Sequence, residues 1–174
     1  MMRLLVALLL VVLSASGNSA LSQQTTSVTS PDKADIKAYR TLFQRDLICN
    51  KLADEADAAH DPKPYLRKVL MHRFDLSEAD SASLDRLSIA YQHEIDPIHE
   101  KALAIISQFH ARFPLGIIPR GADASPPPEL VQLQQQEDAV ALRYRDLLRN
   151  SMREEDFQKL QAKVRKTFGN ATTE

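Results

Sequence analysis

Between residues 84 and 113 one stripe constrains the chain more than any other feature. Leu84, Leu87, Tyr91, Ile95, Ile98, Ala102, Ile105, Ile106, Phe109 and Phe113 recur at spacings that return to one side of a helix, in a band about 100° wide. A strand would instead alternate at every second residue. The spacing predicts a core-facing helix of about thirty residues, roughly 45 Å long, ending before Pro114. "DLSEAD" (75–80) opens it, with Ser77 as N-cap and Asp80 at the position that reaches back. Pro97 falls inside. It removes a backbone donor, frees the carbonyl of His93 and predicts a bend.

The other segments repeat the pattern. Ser30-Pro31 reads as N-cap and first helical residue, followed by a helix with Ile36, Tyr39, Phe43 and Leu47 on one side. A second strip, Leu42, Cys49, Ala53 and Ala56, predicts contact with two neighbours. "HDPKP" (60–64) interrupts, and a short helix follows through Leu66, Val69, Leu70 and Phe74. After a Pro- and Gly-rich loop, "PLGIIPRGADASPPP" (114–128), periodicity restarts at Glu129 through Leu130, Leu133, Val140, Ala141, Tyr144 and Leu148. Asn150-Ser151 breaks it. Ser151 and Glu154 form a capping-box pattern before Phe157, Leu160, Val164 and Phe168. No segment sustains a period of two. The expected fold is all-α, four to five helices, with two long antiparallel amphipathic helices at the centre of a small bundle or hairpin.

The N-terminus is organised differently. Met1-Met2-Arg3 precedes an unbroken apolar run from Leu4 to Leu13, then small residues. That is the layout of a secretory signal peptide, and the run is shorter than the roughly twenty residues a spanning helix needs. The expected organisation is a signal peptide at 1–20, a disordered polar leader at 21–30, one helical domain at 31–169 and a tail at 170–174. The expected location is periplasmic or secreted, in a bacterial host, with no stable membrane insertion after cleavage.

Charge and cysteine content then exclude several classes. Twenty-two Lys and Arg nearly balance 23 Asp and Glu, so no whole-molecule field draws nucleic acid. Cys49 is the single cysteine; a disulfide framework is excluded within one chain, although pairing between two chains stays open. No histidine lies near it in sequence to act as the base a cysteine nucleophile needs. No phosphate loop, dinucleotide fingerprint or Gly-x-Ser-x-Gly elbow is present. The acids Glu154, Glu155 and Asp156 sit where a helix dipole favours them, and the basic C-terminal third, from Arg143 to Lys166, reads as a solvated face. Asn170-Ala171-Thr172 is a glycosylation sequon, relevant only in a eukaryotic host.

One cluster comes closest to chemistry: "YQHEIDPIHEKALAIISQFH", residues 91–110. On a helical wheel His93 and Glu100 point away from the apolar stripe, while His99 and His110 flank it. His99 and His110 lie roughly 16 Å apart along the axis and cannot share an ion. His93, Asp96 and His99 offer pairs of ligands one turn apart, and a metal site there needs further ligands from another helix or chain. The zinc-protease spacing is absent, because Pro97 stands where the second histidine belongs.

Residues 76–168 also carry a family resemblance. "LSEAD" at Leu76 to Asp80 and "MREED" at Met152 to Asp156 each precede an amphipathic helix. In this the chain resembles small periplasmic helical proteins of the Spy/CpxP type, whose two Leu-Thr-x-x-Gln helix starts each open a helix of a hooked, dimerising bundle. Here both glutamines are aspartate and the second threonine is arginine, and the 114–128 loop is unlike the compact family. The resemblance implies a periplasmic scaffold with ATP-independent chaperone or envelope-stress activity.

Three functional expectations follow. The first is a non-enzymatic protein binding protein partners or unfolded clients through a surface that includes Ile117 and Ile118, with a homodimer among the candidates and no cofactor. The second is a metal-binding envelope protein using His93, Asp96 and His99 across a dimer. The third is an enzyme whose residues come from distant helices.

Overall fold

The computed structural model describes residues 31–112, 125 and 127–169. Five helices account for nearly all of them: α1 (Pro31–Ala58), α2 (Tyr65–Phe74), α3 (Glu78–Arg112), α4 (Pro128–Asn150) and α5 (Glu154–Val164). A single π turn, Arg165–Gly169, extends α5. The fold is an all-α small bundle, and among the described residues no helix is long and apolar enough to cross a membrane. The expected signal peptide and leader, Ile117, Ile118 and the tail lie outside the described residues.

Helix ends follow local chemistry. After Ala58 the chain turns at His60, in the left-handed region at φ 57°, and Pro62 and Pro64 discourage continuation. Asp75 closes α2 in the same region, its N–H reaching the Met71 carbonyl. Ser77 caps α3 as expected, its Oγ accepting from the Asp80 N–H at 3.1 Å. The expected box at Ser151 and Glu154 does not form. Ser151 Oγ instead donates to the Leu148 carbonyl at 2.8 Å, closing α4, and the Glu154 carboxylate binds Arg149 at 2.9 Å. Arg153 therefore precedes α5 with no side-chain cap.

Helix α1 touches every other element, and α3 with α4 forms the most extensive helix pair. Along that pair Glu94 meets Arg143 and Tyr144, His99 meets Glu137, and Ile105 lines a groove with Glu129 and Leu133. Numbers rise on α3 as they fall on α4, so the two run in opposite directions. The core gathers Tyr39, Leu42 and Phe43 from α1, Leu84, Tyr91 and Ile95 from α3, Tyr144 and Leu148 from α4, and Phe157 and Leu160 from α5. Each such side chain contributes on the order of 1.5–3 kcal/mol by leaving water. Aromatic rings bind the centre together: Phe43 lies 5.0 Å from Tyr91, and Tyr91 lies 5.6 Å edge-on from Tyr144.

Candidate functional site

Two regions of the α3–α4 pair stand out, one polar and buried, one apolar and open. The polar one joins three helices. Glu137 of α4 is 2% exposed, and its Oε1 lies 2.5 Å from the Arg40 guanidinium of α1 and 3.2 Å from His99 Nε2 of α3. Arg40 extends to Asp138 at 3.5 Å, and Gln134 Nε2 donates to the same Asp138 oxygen at 2.8 Å. The Tyr91 hydroxyl is buried nearby and makes no hydrogen bond of good geometry, although Arg40 and Glu137 lie close enough to act on it. Burial raises its pKa first, with Arg40 opposing and Glu137 and Asp138 adding.

This junction links α1, α3 and α4. Glu137 is committed to a cation, is closed from solvent, and does not line the groove beside it. A general base needs access to a substrate proton, which this carboxylate lacks. Buried ion pairs of this kind fix geometry at a desolvation cost.

The sequence-predicted ligands separate. His93 and Asp96 are exposed, and Asp96 accepts from Gln92 Nε2 at 2.6 Å. His99 turns the other way, to Glu137. Among the described residues no three His, Cys, Asp or Glu side chains stand together as a metal-holding group. Cys49 is half-buried, and burial first, then Asp46, push its thiol up, with Arg45 opposing. That is the opposite of what activates a cysteine.

The apolar region is the far end of the same pair. No residue of α3 beyond Ala102 is buried, and none of α4 before Glu137. Yet this stretch carries Leu103 at 41% and Val131 at 54% exposure, with Ile105, Ile106, Phe109, Leu130 and Leu133 half-buried. A shallow groove of ≈ 360 Å³ runs along it, walled by Lys101, Ala104 and Ile105 on one side and Glu129, Gln132 and Leu133 on the other. Its lining mixes Ala104, Ile105 and Leu133 with Lys101, Glu129, Gln132 and Gln136.

Sequence reasoning placed Ile105, Ile106 and Phe109 in the core stripe, and Leu130 and Leu133 on the apolar face of the next helix; Leu103 and Val131 belong to neither. The stripe is continuous, but the bundle covering it ends at Ala102. The junction carboxylate was missed, although an acid on an apolar face is a readable signal: Glu137 continues the series Leu130, Leu133 and then Val140 and Tyr144. Comparison with family models, curated proteins and solved structures finds no match.

Proposed function

We propose that the chain is an exported, non-enzymatic helical protein that holds apolar segments of other proteins against the far end of α3 and α4. The observation that supports it is the distal hairpin, in which seven large apolar residues lie beyond the last buried position of α3 or before the first of α4. Among them Ile105 and Leu133 wall one open groove, and exposed apolar surface of that kind marks contact sites. An open face whose lining carries neutral Gln132 and Gln136 beside one Lys and one Glu suits varied client segments better than one fixed ligand.

The leader-like run from Leu4 to Leu13 supports export, and the likeness to Spy/CpxP-type proteins supports a chaperone-like or envelope-stress role in the periplasm.

The test is aggregation of a chemically denatured client, followed by light scattering at equimolar protein. The wild type is expected to suppress it. The variant Ile105→Ser with Leu133→Ser is expected to lose suppression while its thermal midpoint moves by less than about 4 °C. Equal suppression by both proteins, or none by the wild type, contradicts the reading.

A further inference from the structure

Among the described residues the bundle buries three carboxylates almost completely, Asp35, Asp46 and Glu137. Two meet cations: Asp35 receives the Arg165 guanidinium, with Nη2 at 2.6 Å, and Arg145 at 3.5 Å, while Glu137 receives Arg40. Asp46, only 5% exposed, does not. Across from it on α3 stands another acid, Asp85, whose Oδ1 accepts from Asn50 Nδ2 at 3.3 Å. Asp46 Oδ2 and the wholly buried Ser88 Oγ are both closed from solvent without a hydrogen bond of good geometry.

We propose that Asp46 and Asp85 hold a single proton between them across the α1–α3 contact, and that its release loosens the contact, making the pair a pH-sensitive latch. Asp46 is enclosed and Asp85 half-buried, and two neighbouring carboxylates so placed ionise together only at a cost. A protonated Asp46 gains a donor, and with it a means of pairing with Asp85 that two ionised carboxylates lack.

Among the described residues no cation pairs with Asp46, and the causes acting on its carboxyl include none. On α1 itself Arg45 is exposed, and Cys49 is half-buried with a raised pKa. On α2, Arg67 is committed to Asp54 and Asp57 at 2.7 and 2.6 Å. On α3 the facing groups are Asp85 and Ser88. Burial foremost, then Asp85, push the Asp46 carboxyl from 3.8 up to about 7, with Ser88 opposing. The folded state therefore binds this proton more tightly than the unfolded chain. Its contribution is complete below the ordinary carboxylate pKa and is lost as pH rises to about 7.

Carboxyl-carbon NMR of the folded wild-type protein, titrated from about pH 4 to about pH 9, tests the latch. One aspartate resonance is expected to titrate near 7, and Asp46→Asn is expected to remove it. With every aspartate titrating below about pH 5, the proposal fails. Thermal midpoints give a second reading. Asp46→Asn is expected to gain little at about pH 4.5 and progressively more towards about pH 8, whereas a pH-independent difference overturns the idea. Asp85→Asn is expected to lower the Asp46 titration, and an unchanged midpoint of that titration contradicts a shared proton. A rise in wild-type midpoint with magnesium or calcium at about pH 8, absent from Asp46→Asn, assigns the pair to a cation instead and also overturns the proposal.

Discussion

From Leu84 to Ile95, α3 buries Leu84, Tyr91 and Ile95 completely, whereas from Leu103 to Arg112 it buries nothing. The same contrast holds on α4, where Glu137, Val140, Tyr144 and Leu148 are buried and residues 128–136 are not. Helical spacing of apolar residues persists through both halves. What changes is the third wall: α1 and α5 back the first half, whereas in the second half Ile105 and Leu133 line an open groove and Leu103 and Val131 are exposed. An amphipathic stripe thus reports that a face is apolar. Whether the bundle or a partner covers it is a tertiary fact.

The largest expected effect breaks the buried half at its polar joint. Arg40→Met leaves Glu137 charged and enclosed with only His99 beside it, and a loss of about 3 kcal/mol in chemical denaturation is expected. Adding Glu137→Leu is expected to return most of that loss. Next comes paired truncation along α3. Leu84→Ala, at a fully enclosed position, is expected to cost about 3 kcal/mol. Leu103→Ala, at 41% exposure, is expected to cost less than about 1 kcal/mol. Near-equal costs for the two leucines, measured by the same denaturation, erase the distinction between the halves.

Much of the fold was legible because it depends on local pattern. The α3 stripe, the Ser77 cap and the double strip of α1 each follow from neighbours a turn or two away, and Tyr39, Phe43, Leu42 and Ala53 are indeed buried. The Ser151 cap misled for an equally local reason. One hydroxyl can satisfy the end of α4 or the start of α5, and it serves the carbonyl of Leu148. Partners across the bundle were not legible. Asp35 finds Arg165 130 positions away, and Arg145 joins them, so part of the basic C-terminal third pairs with a buried acid where a wholly solvated face was expected. Periodicity shows which side of a helix is apolar and carries no address for what lies opposite.

A signal for the buried acids did exist. Asp46 sits between Leu42, Cys49 and Ala53 on one face of α1, and Asp35 lies one turn before Tyr39. An acid inside an apolar stripe must be neutralised or paired once the stripe is buried. That rule marks Asp35, Asp46 and Glu137 from sequence alone. It leaves open which two acquire arginines.

Hydrogen exchange of the backbone amides, with and without an equimolar denatured client, tests the central claim most directly. Amides between residues 84 and 98 are expected to exchange at least about 100-fold more slowly than those between 103 and 110 in the free protein. Client addition is expected to protect residues 103–110 and 130–136 and leave the buried half unchanged. Uniform protection along α3, or client protection appearing anywhere but that far end, contradicts the account.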